Sequence, residues 1–311
     1  MTLTVLFAAG DAAFADYEAP LTRALSEAGL DARLVTEAAP EDVDYIVTAP
    51  NGWVQDFTPY TNAKAVQTLW AGVEGIVGND TLTQPLARMV DDEGLTQGMV
   101  EWVTGHVLRH HLGMDAHIVN PEHAWDHRAP PLAAERTVTI LGLGTLGTAC
   151  ARMLATVGFD MRGWSRTEKS VEDVACHHGD AGFGTALDGA DIVVLLLPDT
   201  AATRNVLDAA AIGRLARGAV VINPGRGPLI DDDALLAALD EGQLTHATLD
   251  VFRTEPLPQD HPFWAHPRVT VTPHIASETR TDSAAREVAA NIARCERGET
   301  LKGLVDRDRG Y

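Results

Sequence analysis

Three residues in the second half of the chain have the types and placement for catalysis: Arg226 in "VVINPGRG", Glu255 in "LDVFRTEPLP" and His274 in "VTVTPHIAS". A guanidinium holds a carboxylate, and an imidazole paired with a carboxylate is a proton donor whose pKa its surroundings tune. Each follows a short apolar run of the strand type. In an open parallel sheet, ligands bind beyond the carboxyl ends of the strands, so three such residues can converge on one cleft. Singly, each has an ordinary structural reading: a turn arginine, a glutamate in a proline-flanked loop, a histidine capping a strand. What sets the three apart is that they occur together, beside a nucleotide turn.

That turn is "ILGLGTLGTACARML" (140–154), with Gly142, Gly144 and Gly147 in the G-x-G-x-x-G spacing between a strand and a helix. The first glycine permits the tight turn, the second lets backbone approach a pyrophosphate, and the third lets helix pack on strand. The helix then offers its free N–H groups to the phosphates. After the next strand, an NAD-binding chain carries Asp or Glu for a ribose hydroxyl. This chain has "RGWSRTEKS" (162–170), with Ser165, Arg166 and Lys169 in that place. A guanidinium fork suits a 2′-phosphate, which an acid would repel. Asp160 precedes the strand, at the wrong end for the ribose. The expected cofactor is NADPH, with NADH the weaker alternative.

Positioning these residues takes a parallel sheet, and the chain alternates short apolar runs with amphipathic stretches throughout. Strand-like runs occupy 3–8, 32–36, 44–49 and 65–70, then 137–144, 161–164, 191–198, 219–225, 246–251 and 268–274. "LSEAGLDARL" (25–34) and "LATVGFDMRG" (154–163) repeat one helix-to-strand corner, with Gly29 and Gly158 at the helix ends. Two such corners imply two β/α sheets. Residues 99–119 and 277–299 are expected as helices, and 120–131 as a proline-containing loop.

Composition narrows the partners. A formal net charge of −20 repels nucleic acid and anionic membrane, and no basic run offsets it. Cys150, Cys176 and Cys295 have no paired spacing and are expected as reduced thiols of a cytoplasmic protein. The apolar start "MTLTVLFAAG" is too short for a membrane span and is expected as a first strand.

The series "LGLGTLG", "LLLPDTAATR", "VINPGRG", "LDVFRTEPLP" and "TPHIAS" resembles the D-isomer-specific 2-hydroxyacid dehydrogenase family. The "WSR" turn with its "KS" and the ending "VDRDRGY" (305–311) are similar to the family's NADPH-dependent branch that reduces glyoxylate and hydroxypyruvate. Before residue 100, mainly "WAGVEGI" (70–76) matches. The resemblance implies an α/β fold of two Rossmann-like, doubly wound parallel-sheet domains, with the C-terminal helix returning to the first. Residues 1–98 with 284–311 would form a flavodoxin-like substrate-binding domain, and 99–283 the nucleotide-binding domain.

The resemblance also assigns roles. Arg226 would bind the substrate carboxylate and keto oxygen, His274 would give the proton, and Glu255 would orient the imidazole and raise its pKa. Backbone N–H groups at Ala71, Gly72 and Val73 would hold the other side of the carboxylate. Asp250 would face the nicotinamide carboxamide and Pro198 would line its ring pocket. Thr145, Leu146, Leu197, Thr203, Asn223 and Pro224 join them as implied cofactor contacts. A homodimer is implied, with Trp125 reaching toward the partner's active site. One departure is plain: the family has Ala or Ser before the Arg-Gly pair, and this chain has Pro224-Gly225.

His106 and His110 have the i, i+4 spacing of zinc-binding helices, but no third ligand is arranged with them in sequence, so no metal is expected. Trp53 and Trp70 flank the presumed substrate loop, either narrowing a pocket for two- and three-carbon acids or simply packing. The leading expectation is an NADPH-dependent reductase of small 2-ketoacids. The rivals are a dehydrogenase of another small D-2-hydroxyacid, NADH-preferring, and a nucleotide-sensing binding protein on the same fold.

Overall fold

Strands that are apolar at every position need cover on both faces, and parallel sheets flanked by helices provide it. The computed structural model describes residues 2–307, 309 and 310, so Asp308 and Tyr311 of the terminal "VDRDRGY" lie outside the described residues. The chain divides into two units, residues 1–95 with 279–311, and residues 96–278.

The first unit holds strands β1 (Leu3–Phe7), β2 (Ala32–Val35), β3 (Tyr45–Thr48), β4 (Ala65–Thr68) and β5 (Leu86–Ala87), with helix α1 (Asp11–Glu27) between the first two. Their order is β2-β1-β3-β4-β5, all parallel. β1, β3 and β4 are buried at every residue, the polar Thr4, Thr48, Gln67 and Thr68 included. The chain's last helix, Thr281–Glu296, packs here: Ala285, Val288 and Ile292 share a core with Leu21 and Leu25 of α1. Buried Asn291 of that helix donates to Gln67 Oε1 at 2.7 Å and accepts from the Lys302 N–H at 2.8 Å, anchoring the returning segment.

The second unit begins with helices α2 (Gln97–His111) and α3 (Asp115–Ile118). Then come β6 (Thr137–Leu141), α4 (Thr145–Val157), β7 (Asp160–Ser165), β8 (Ala175–His178), α5 (Gly179–Leu187) and β9 (Ile192–Leu195). The unit closes with α6 (Ala209–Ile212), β10 (Ala219–Asn223), α7 (Asp232–Asp240), β11 (Leu244–Leu249), α8 (Pro262–Ala265) and β12 (Val269–Val271). The sheet order β12-β11-β10-β9-β6-β7-β8 reverses direction between β6 and β9, the switch point where dinucleotides bind in doubly wound sheets.

Most expected strands are present within a few residues of their sequence positions. β5 and β8 were not expected, each for its own physical reason. β5 is only two residues long, and β8, at the sheet edge, has no buried residue and so carries no core-facing pattern. The helix expected over 99–119 is two helices, α2 and α3, broken at Gly113. The repeated corner forms twice: Gly29 and Gly158 both take positive φ, and Leu30 and Phe159 bond back to Leu25 and Leu154. Among the described residues no helix is long and apolar enough to cross a membrane.

Candidate active site

The glycine turn has the shape a dinucleotide needs. Gly142 sits at φ 109°, and a Cβ there would lie 2.5 Å from the Leu196 carbonyl oxygen. At Gly147 a Cβ would lie 1.8 Å from the Gly142 oxygen, so any larger residue would push α4 off β6. Gly144 is different: a Cβ there meets nothing within 4 Å, leaving open space above the helix start. No side chain caps α4, and its first N–H groups, at Thr145, Leu146 and Gly147, have no carbonyl four residues back within the helix. A pyrophosphate fits that combination of open space and unspent donors.

β7 delivers Ser165 to the same edge of the sheet. Arg166 and Lys169 are exposed in the turn beyond it, while Ser165 is buried and donates its hydroxyl to the Thr167 oxygen at 2.7 Å. Ser165 thus shapes the turn that carries Arg166. Leu197 and Pro198 follow β9. Thr203 donates to the Pro198 oxygen at 2.6 Å and accepts from the Thr200 N–H at 2.9 Å, closing that loop on itself.

The catalytic residues expected from sequence meet around the ends of β10, β11 and β12. His274 Nδ1 lies 2.7 Å from Glu255 Oε2, and Glu255 Oε1 accepts the Phe252 N–H at 2.8 Å. Glu255 is therefore fixed by backbone while it fixes the imidazole. With Nδ1–H donating to the carboxylate, Nε2 is the atom left to face a substrate. The hydrogen bond that His274 donates to Glu255 raises the His274 pKa above its ordinary value, outweighing burial and the positive charge of Arg226. Burial pushes the Glu255 carboxyl up, but hydrogen bonds from His274 and the Phe252 N–H bring its pKa below the usual range. The His274 side chain remains 53% exposed, so a ligand can reach it.

His274 is held in a left-handed backbone conformation, φ 55°, which costs of order 1 kcal/mol for a residue with a Cβ. Asp250, fully buried at the end of β11, supplies the compensation. Its carboxylate accepts from Thr272 Oγ1 (2.6 Å), the Ile275 N–H (3.0 Å) and the Ala276 N–H (2.8 Å), and its carbonyl accepts the His274 N–H (2.8 Å). The sequence reading missed this cradle around His274; the available signal was an aspartate directly following an apolar run.

Arg226 is half-buried and presented by a bracket. Asn223 accepts from the Gly225 N–H at 3.1 Å and donates to the Arg226 carbonyl at 2.9 Å. The Pro224-Gly225 departure has a structural counterpart: a Cβ at Gly225 would lie 2.7 Å from the Leu195 oxygen. The turn runs closer to β9 than alanine permits, and Arg226 Nη1 donates to the Gly225 oxygen at 2.7 Å.

In the first unit, Ala71, Gly72 and Val73 form the loop after β4. The Trp70 carbonyl there accepts from Thr68 Oγ1 and the Met89 N–H, and Val73 is buried. Trp53 and Trp70 are both about half exposed, so neither is a core residue. Trp125, in the second unit, is 92% exposed.

Residues 105–276 match the family described as D-isomer specific 2-hydroxyacid dehydrogenase, NAD binding domain. Glyoxylate/hydroxypyruvate reductase A of Serratia proteamaculans is 41% identical over 256 residues, spanning 80% of this chain and 82% of that one. Among solved structures, a D-isomer specific 2-hydroxyacid dehydrogenase from Xanthobacter autotrophicus Py2, in complex with NADPH and MES, superposes with a TM-score of 0.91 at 40% identity, covering 99% of both chains. The NADPH-dependent glyoxylate/hydroxypyruvate reductase of Sinorhizobium meliloti, in complex with NADP and sulfate, gives 0.84 at 33% identity, covering 100% of this chain and 99% of that one.

Proposed function

The chain belongs to the D-isomer specific 2-hydroxyacid dehydrogenase family, and from that premise we propose that it reduces small 2-ketoacids with NADPH, glyoxylate to glycolate and hydroxypyruvate to D-glycerate. The observation that carries this reading is the 2.7 Å His274–Glu255 pair, held near the charge of Arg226 in the unit that bears the glycine turn. The names and bound nucleotides of the relatives supply the substrate class and the choice of NADPH.

Bound at the glycine turn, NADPH supplies the hydride for the substrate's α-carbon. Arg226 holds the carboxylate and keto oxygen and stabilises the charge that grows on that oxygen. His274 Nε2 donates the proton that turns the alkoxide into the hydroxyl. Glu255 orients the imidazole and, by accepting its Nδ1–H, favours the protonated form. Ala71, Gly72 and Val73 are proposed carboxylate contacts, and Asp250, Leu197, Pro198, Thr203, Asn223 and Pro224 proposed nucleotide contacts. The first unit, residues 1–95 with 279–311, is proposed as the substrate-binding unit.

The testing experiment follows loss of the reduced-nicotinamide absorbance, with NADPH and NADH each offered glyoxylate, hydroxypyruvate and pyruvate. NADPH-preferring turnover of the first two acids is expected; silence with every ketoacid would sink the proposal. Arg166→Ala is expected to raise the KM for NADPH by about tenfold and leave that for NADH nearly unchanged, because the lost donors serve only the 2′-phosphate. Equal losses with both coenzymes would remove Arg166 from the phosphate site.

The pH dependence carries a sign. Reduction needs protonated His274, so kcat/KM is expected to fall as pH rises through the raised pKa of His274. Glu255→Gln removes the main cause of that rise and should move the falling limb to lower pH. A limb that stays in place would mean another group sets it.

A cytoplasmic homodimer is part of the same proposal. Its support is the run of exposed apolar side chains from Leu112 through Met114, Ile118 and Val119 to Trp125 and Leu132, with Trp125 proposed to reach the partner's site. A monomeric mass by light scattering at micromolar concentration would count against it.

A further inference from the structure

The second unit holds a cluster of ligand-type side chains that the reduction does not use. His110 at the end of α2, Asp115 at the start of α3 and His246 on β11 bring one ligand atom each within 4.8 Å of one another. The two imidazole rings have centroids 4.8 Å apart. From these positions we infer that His110, His246 and Asp115 form a binding site for a first-row divalent cation of the zinc type. This departs from the sequence expectation of no metal, which searched for a third ligand along one helix. The pair that matters is not His106 with His110 but His110 with a strand residue far along the chain.

Two imidazoles and a carboxylate are a donor set that Zn²⁺, Ni²⁺ and Co²⁺ accept. Each ligand is also held from behind, as metal ligands commonly are. Thr248 Oγ1 lies 2.8 Å from His110 Nε2, and Thr270 Oγ1 lies 2.8 Å from His246 Nε2. With Nε2–H donating to its threonine, each ring would offer Nδ1 as the lone-pair donor. Burial, the largest cause in each case, lowers the pKa of His110 to about 3 and of His246 to about 4, so both rings are neutral at physiological pH.

Arg109 opposes the ion. It grips both oxygens of Asp115, Nε to Oδ1 at 2.6 Å and Nη2 to Oδ2 at 2.9 Å, and also donates to Thr270 Oγ1 at 3.0 Å. A carboxylate oxygen has lone pairs for a second partner, so Asp115 can serve Arg109 and a cation together. Donors around a tetrahedral Zn²⁺ stand roughly 3.3 Å apart for bonds of about 2.0–2.2 Å. The Asp115 side chain is 44% exposed in the single chain, and the net charge of −20 concentrates cations around it. A bound ion would tie the α2–α3 corner to the sheet.

The test uses the full chain, stripped with EDTA, desalted and titrated with Co²⁺ while its visible ligand-field absorption is followed. One equivalent per chain, displaced by Zn²⁺, is the expected result. His246→Gln and, separately, Asp115→Asn should each weaken Co²⁺ binding by tenfold or more. His178→Gln, a histidine outside the cluster, should not. Zn²⁺ should raise the thermal unfolding midpoint of the unsubstituted chain but not that of His246→Gln. Circular dichroism and NADPH binding report whether each variant is folded, independently of turnover. Absence of a saturable cobalt signal, or one that folded His246→Gln retains in full, overturns the site whatever the enzyme's substrate proves to be.

Discussion

His274→Ala is expected to lower kcat for ketoacid reduction by roughly a hundred- to ten-thousand-fold, the usual worth of a positioned proton donor. The KM for ketoacid should move far less, and NADPH affinity, read by quenching or enhancement of its fluorescence, should stay within about twofold. The reason lies in how the site is built. Glu255 is fixed through the Phe252 N–H, and the loop bearing His274 is held by the Asp250 carboxylate, so removing the imidazole leaves the framework standing. Alanine even keeps the same left-handed backbone problem, so the fold of the loop is not relieved by the change. Near-normal turnover in this variant would defeat the assignment of His274 as acid.

The second large effect belongs to Arg226. Arg226→Gln should lower kcat by roughly a hundred- to a thousand-fold, as loss of one donor to a developing oxyanion does in other enzymes. It should also raise the KM for ketoacid, because the same guanidinium is proposed to hold the carboxylate in the ground state. Arg226→Lys keeps a charge but loses the planar fork, so it should recover binding better than turnover. Asn223 grips backbone at Gly225 and Arg226, not the guanidinium, so the turn should survive both substitutions. Steady-state rates on glyoxylate separate the two effects. A change confined to KM would reduce Arg226 to a binding residue.

The site was legible in sequence to different depths. The glycine turn could be read directly, since Gly142 and Gly147 occupy places where a single Cβ would strike backbone. Arg226, Glu255 and His274 could be read as strand-end residues because their strands are apolar runs with clear ends. Apart from an aspartate directly following an apolar run, nothing local pointed to the second role of Asp250, the bracket made by Asn223 or the turn made by Ser165, which are hydrogen bonds chosen by the folded backbone. The edge strand β8 was invisible because, with no buried residue, it leaves no pattern.

By itself, then, the sequence determined which residue types stand at backbone-restricted positions and at the ends of buried strands. Those are local properties, written in glycine spacing and apolar runs, and they sufficed for the fold class and for naming the residues that meet at the candidate site. The tertiary structure alone decided which atoms meet: Glu255 with His274 Nδ1, Asp250 with the loop beyond β12, and His110 and Asp115 with His246. Such meetings depend on the register of parallel strands and on where a helix lands against the sheet. Both are set by packing across the whole unit, and packing has no signature at the residues it brings together.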